Sequence, residues 1–156
     1  RQKDAHLYGA EFNIDIHPHP LDWLHVENSV SLIRGQFKEA FQGVPTIRHF
    51  LVATNDADQI VGYAAVLVVA PGVEADVLTV AVLPEYARQG IATHFMNELE
   101  KWSQGKEALA MMLEVGVENT NAIALYEKLG YQTIATRKNY YGQGLDAFVM
   151  RKEFGA

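Results

Sequence analysis

The chain has 156 residues, of which 49% are hydrophobic and 21% charged, with a net charge of −6 and no cysteine. That balance fits a single globular domain over 1–156 and excludes disulfides, thiolate metal sites and a cysteine nucleophile. The acidic surplus argues against a nucleic-acid partner, for which a basic face is expected.

No run approaches 18 apolar residues, so no membrane-spanning helix is expected. The opening R-Q-K-D-A-H has no apolar core behind its charges, so no signal peptide is expected either. These features together lead to the expectation of a cytoplasmic protein.

Glu11 to Ile16 alternates as a strand does, and the prolines of H-P-H-P at 17–20 end it. His17, His19 and His25 have no nearby carboxylate in a defined register, which makes a poor ligand set, and no metal is expected. Trp23, Val26, Val30, Ile33, Phe37 and Phe41 recur every three or four positions, predicting a core-facing helix stopped by Gly43 and Pro45. Thr46 to Thr54 and Ile60 to Val69 read as strands joined by a hairpin turn over N-D-A-D at 55–58. Pro71-Gly72 ends the second of them.

Val77 to Val82 is a β-branched, apolar run that reads as a buried strand, stopped at Pro84. The basic turn Arg88-Gln89-Gly90 follows, and Ile91, Phe95, Leu99 and Trp102 then share one face of a helix ending at Gly105. A strand feeding a helix through a glycine turn leaves backbone N–H groups without intrahelical acceptors, at the positive end of the helix dipole. Such a turn is a ready phosphate site; an ordinary strand-to-helix connection is the plain alternative. Neither a Walker A loop nor G-x-G-x-x-G is present, so a nucleotide held in either of those ways is not expected.

Ala108 to Val115 predicts another buried strand and 122–129 a short helix, with Asn119 or Asn121 as N-cap and Gly130 just past its end. Tyr131 to Thr136 and Ala147 to Met150 complete the strands. The segment G-Q-G-L-D-A at 142–147 resembles half of a dinucleotide fingerprint but lacks the following helix, so it reads as a hairpin loop. The order β-α-β-β-β-α-β-α-β-β predicts a mixed α/β sheet with helices on its faces.

Two side chains stand out chemically. Glu114 is a carboxylate within an apolar strand; burial would raise its pKa and suit it to act as a base near neutral pH, whereas an edge position would leave it facing water. Tyr126 shares a helix face with Ala122 and Leu129, where a core tyrosine is the usual occupant.

Taken together, 80–92 and L-E-V-G-V-E-N-T-N-A-I-A-L-Y-E-K-L-G-Y at 113–131 closely resemble the two signature segments of the GNAT superfamily of acyl-CoA-dependent N-acetyltransferases. With R-K-N-Y-Y at 137–141, the likeness narrows to the ribosomal-protein alanine N-acetyltransferases and their eukaryotic N-terminal relatives. It covers about half the chain, roughly 77–152, and fades before Thr46. The resemblance implies a GNAT fold, a mixed sheet of about seven strands flanked by helices, with acetyl-CoA as cosubstrate. By the same resemblance, the turn Arg88, Gln89, Gly90, Ile91, Ala92 and Thr93 would wrap the CoA pyrophosphate. The strand 78–82 would splay from its neighbour, with Val80 and Val82 holding the thioester arm, and Asn119 would contact the pantetheine arm or order its loop. Glu114 becomes the general base, Tyr126 the acid that protonates the departing thiolate, and Tyr140 and Tyr141 the walls of the slot for a peptide N-terminus. One position departs from the family pattern: Ala87 stands where a side-chain donor is usual, so one phosphate contact is missing.

The residue inventory favours direct attack by an amine through a ternary complex. There is no cysteine, and Ser29, Ser31 and Ser103 lie outside any nucleophile-elbow context, so an acyl-enzyme is not expected. Neutralising an α-ammonium at pH 7 costs about 1–1.4 kcal/mol, against about 4.6 kcal/mol for a lysine. One carboxylate suffices for the first, which favours the N-terminal α-amine of a protein or peptide, a ribosomal protein among the candidates. The alternatives are a small-molecule amine or lysine acceptor, and a non-catalytic acyl-CoA-binding module.

Overall fold

The computed structural model describes residues 47–155 together with the backbone of one short strand nearer the N-terminus. That strand is β1 (His25–Glu27). It is followed by β2 (Arg48–Thr54), β3 (Ile60–Leu67), β4 (Ala75–Val82), a 3-10 turn at Pro84–Tyr86, and α1 (Ile91–Gly105). The chain continues through β5 (Ala110–Gly116), α2 (Thr120–Lys128), β6 (Gln132–Arg137) and β7 (Ala147–Glu153). The described strands form one 7-stranded sheet in the order β1-β2-β3-β4-β5-β7-β6. Only β4 and β5 run parallel. No described helix is long and apolar enough to cross a membrane.

The mixed sheet agrees with the sequence reading; at 25–27 the first predicted helix does not. Val26, assigned to a helical stripe, lies in β1, opposite Ala53 of β2. His25-Val26-Glu27 alternates polar and apolar residues, and the β2 edge offers it a ladder, so pairing outweighs the helical periodicity. The remainder of that stripe, the strand expected at 11–16 and the H-P-H-P segment lie outside the described residues.

The N-D-A-D turn forms as expected: Asn55 accepts from the Ala57 and Gln59 N–H groups at 3.0 Å each, and Asp58 adopts φ 57. The core lies on one face of the sheet. There, Ile91, Phe95, Met96 and Leu99 of α1 and Ala122, Leu125 and Tyr126 of α2 pack with Val66, Val80, Val82, Leu113, Val115 and Met150 of the strands. Gly62 lets α1 come close. A Cβ there would stand 2.9 Å from the Ala81 carbonyl oxygen and 3.1 Å from Cε2 of Phe95.

What positions the site is a failure of pairing. β4 and β5 are in register only at Ala75↔Met111 and Asp76↔Met112. Against β3, the pairing of β4 shifts from Ala65↔Thr79 to Val66↔Val77, which leaves Leu78 as an extra residue. Such a bulge bends and twists its strand. Beyond it, β4 stays with β3 as far as Val82, while β5 from Leu113 to Gly116 is paired with β7 alone. A V-shaped split therefore opens inside the sheet, as expected for 78–82, and presents strand-edge N–H and C=O groups from both sides.

Candidate active site

The turn that follows β4 sits at one end of the split. Ala87 is extended (φ −66, ψ 157), and Gly90, the N-cap of α1, is left-handed (φ 86, ψ 6) and supplies no side-chain cap. Arg88 is also left-handed at φ 61, a conformation that costs a non-glycine residue on the order of 1–3 kcal/mol. The first helical hydrogen bond runs from the His94 N–H to the Gly90 carbonyl at 2.9 Å. The amides from Arg88 to Ala92 precede it and have no intrahelical acceptor. Ile91 and Ala92 are fully buried, so they offer a ligand their backbone alone. Arg88 projects into solvent, with Gln89 and Thr93 half-buried.

Val80 and Val82 are likewise 1% exposed, with side chains in the core, so their contribution to the split is also backbone. Asn119 caps α2, its side-chain oxygen accepting from the Ala122 N–H at 3.2 Å. That bond fixes the loop leading into α2.

Side chains alternate across a strand, and Leu113 and Val115 belong to the helix-covered core. Glu114 therefore faces the opposite side, on a strand interior to the sheet but on the stretch that borders the split. Its side chain is 23% exposed, and Oε1 lies 3.2 Å from Nη1 of Arg137. Desolvation pushes the Glu114 pKa upward; Arg137 opposes the rise and Asp76 adds to it. Around it stand Tyr141, whose hydroxyl donates to the Glu114 carbonyl oxygen at 3.2 Å, and Tyr140, whose ring meets that of Tyr141 edge-on at 4.9 Å. Both rings remain 40–45% exposed.

The loop carrying them is braced. Lys138 pairs with Asp146 at 3.1 Å, the Asn139 N–H donates to Asp146 at 2.9 Å, and the Gly144 N–H donates to the Asn139 side chain at 2.6 Å. The β6–β7 connection is thus an ordered hairpin loop, as the absence of a following helix indicated.

Tyr126 is fully buried on the other face. The end of α2 fixes it: the Tyr131 N–H donates to the Tyr126 carbonyl at 2.9 Å, the Gly130 N–H to Glu127 at 3.0 Å, and Gly130 takes φ 97. This is a Schellman arrangement, and its accompanying apolar contact is the edge-on pair of Tyr126 and Tyr131, 5.9 Å between centroids. Tyr131 is anchored in turn by donating to Glu100 Oε1 at 3.0 Å, while Lys152 binds Oε2 at 2.8 Å. The structure thus does not gather the expected site residues on one side. Glu114, Tyr140 and Tyr141 lie on one face, Tyr126 on the other, and the β4–β5 split lies between β4 and the strand that carries Glu114. Sequence reasoning missed the Arg137–Glu114 pair and the proximity of Asp76; the only local sign was Arg137 heading the R-K-N-Y-Y segment.

A split sheet closed at one end by a turn of free amides is the architecture that the sequence resemblance implied, and residues 12–131 match the acetyltransferase (GNAT) family. The chain belongs to that family. It is 35% identical over 107 residues to the N-alpha-acetyltransferase RimI of Mycobacterium tuberculosis, a match covering 67% of this chain and 66% of that protein. It is 42% identical over 72 residues to the ribosomal protein bS18-alanine N-acetyltransferase of Escherichia coli K12, covering 44% of this chain and 46% of that one. The matches thus span about half to two thirds of those relatives. In fold, it superposes on the crystal structure of the Escherichia coli ribosomal-protein-S18-alanine N-acetyltransferase with a TM-score of 0.70 and 22% identity, over 85% of this chain and 95% of that one.

Proposed function

We propose that the chain transfers the acetyl group of acetyl-CoA directly to the N-terminal α-amine of a protein or peptide, with a ribosomal protein as a candidate acceptor. The observation that carries this reading is the split between β4 and β5, with free amides at one end and a half-buried carboxylate on its margin. The amides of Arg88 to Ala92 suit a pyrophosphate, to which backbone N–H groups at a helix start bind well. The unpaired strand edges suit the amide-bearing pantetheine arm, which can add to them as a strand does. Ala87 brings no side-chain donor, so the backbone carries this contact together with the charge of Arg88.

Glu114 takes a proton from the acceptor ammonium, directly or through water. The neutral nitrogen attacks the thioester carbonyl carbon, the C–S bond breaks, and the nitrogen releases its second proton to solvent as the amide forms. Tyr126, on the far side of the sheet, donates to the thiolate, so that free CoA leaves as a thiol; solvent then reprotonates Tyr126 and takes the proton from Glu114, for a net release of one proton. Tyr140 and Tyr141 flank the approach to Glu114 with exposed aromatic faces on a braced loop, a suitable wall for a peptide end. The names of the two curated relatives support an α-amine acceptor.

The test is mass spectrometry of a short peptide bearing both a free α-amine and an internal lysine, incubated with the chain and acetyl-CoA. Acetylation of the α-amine is expected. Acetylation confined to lysine would overturn the acceptor assignment, and CoA binding without transfer would favour a binding module.

A further inference from the structure

We propose that Arg137 is a positioning residue for this reaction: its guanidinium holds the Glu114 carboxylate beside the split, ionised and ready to accept a proton. The inference rests on Glu114 being the base, as proposed above. Its ground is a feature of the sheet that the motif does not contain.

Arg137 ends β6, the outermost strand, and two strand spacings separate it from β5. Its partner across β6–β7 is Ala147, and the partner of Ala147 across β7–β5 is Gly116. This row is therefore nearly free of side chains. Only because both neighbours are small can a long guanidinium cross β7 at sheet level and reach Glu114 Oε1 at 3.2 Å. The bare surface over Gly116 is covered by Tyr141, whose ring carbons stand 3.9 Å from where a Cβ would be. Tyr140 lies against Arg137 itself, with the guanidinium carbon 5.5 Å from the ring centroid, a cation–π contact that limits where the cation can go. Tyr140 thus restrains the arginine that holds the base, while Tyr141 covers the row beside it and donates to the Glu114 backbone.

The groups acting on Glu114 can be taken element by element. β4 presents Asp76, a like charge; β6 presents Arg137, the opposite charge. The β6–β7 loop presents Tyr140, and the β7 residue opposite Glu114 is Val149, which is neutral. Arg151, further along β7, is engaged by Glu74 at 2.6 Å and Glu153 at 2.7 Å. Burial and Asp76 both favour the protonated, inactive form of Glu114. Among the described residues, Arg137 is the cation placed against it. Removing Arg137 therefore moves the titration of Glu114 to higher pH, and a base that must be ionised loses activity at the acid end of its range first.

The experiment is a titration of the glutamate side-chain carboxyl carbons by 13C NMR, with Glu114→Gln identifying the signal, run beside the pH profile of kcat/KM. In Arg137→Ala, the Glu114 midpoint moves to higher pH, and the acid limb of kcat/KM moves with it. Because Arg137 is half-exposed, the pair is worth about 0.2–1 kcal/mol, so kcat/KM on the acid side falls about 1.5- to 5-fold beyond any loss seen at the high-pH plateau. Arg137→Lys restores part of the shift, since it keeps the charge and loses the planar fork. A Glu114 midpoint unmoved by Arg137→Ala overturns the proposal, even if Glu114→Gln removes the acid limb and so upholds the base. A midpoint that moves while the acid limb stays in place overturns instead the assignment of Glu114 as base, and with it the part given to Arg137.

Discussion

Replacing Gly90 with valine tests the amide turn without touching a side chain that could contact a ligand. Gly90 sits at φ 86, ψ 6, where an L-residue pays about 1–2 kcal/mol and a β-branched one fits worst. Arg88 already occupies φ 61 two residues earlier, so the turn has little slack to share the strain. Rotation of residue 90 toward negative φ turns its flanking peptide planes and re-aims the amides of Gly90 and Ile91. A backbone N–H donating to a charged phosphate contributes about 1.5–3 kcal/mol, so losing one weakens CoA about 10- to 150-fold. Calorimetric titration with CoA, paired with urea unfolding of the same variants, separates the two effects. The expected result is a stability loss of about 1–2 kcal/mol together with at least a tenfold rise in Kd, with Gly90→Ala intermediate. Gly90→Val that loses stability yet binds CoA unchanged would refute the assignment of this turn to the pyrophosphate.

Two other substitutions probe the two faces of the sheet. Tyr126→Phe keeps the buried ring and its edge-on contact with Tyr131, so steady-state kinetics should show kcat falling while KM stays nearly constant, since a leaving-group acid acts in the transition state. A loss of binding as large as the loss of kcat would make Tyr126 structural. Gly62→Ala places a methyl 2.9 Å from the Ala81 carbonyl and 3.1 Å from Phe95; the carbonyl is backbone and cannot swing away. Overpacking of this kind costs about 1–3 kcal/mol, read by urea unfolding, and a neutral outcome would mean that β4 is free to shift and does not form a fixed wall of the split.

What could be read from the chain beforehand was what is local. The β4 run, its stop at Pro84, the turn at Gly90 and the α1 face of Ile91, Phe95 and Leu99 follow one another within a few turns of chain. Each is written in residue type and spacing. The same holds for α2, where Asn119 caps one end and Gly130 the other. Val26 shows the limit: three residues compatible with a helical stripe went to a strand, because β2 offered a partner that the local pattern cannot announce. The bulge at Leu78 that opens the split is a matter of count between two strands, and is invisible in either alone. The Arg137–Glu114 pair needs the register of three strands at once. The placement of Tyr126 across the sheet from Glu114 depends on which face both helices cover, and a motif alignment puts the two residues side by side without stating it.

The central claim is that Glu114, at the margin of the split, removes the proton that keeps the acceptor amine from attacking. The measurement that reaches it most directly is the pH dependence of kcat/KM for α-amine acetylation in the wild type and in Glu114→Gln. In the wild type, an acid limb is expected, shifted upward from the ordinary glutamate value, because burial raises the Glu114 pKa more than Arg137 lowers it. Activity is then lost as pH falls through that raised value and the base becomes protonated. In Glu114→Gln, that limb should disappear, and the rate should drop by about 10²–10⁴-fold, the usual worth of a positioned base. An unchanged profile and turnover in Glu114→Gln would contradict the claim and place the base elsewhere.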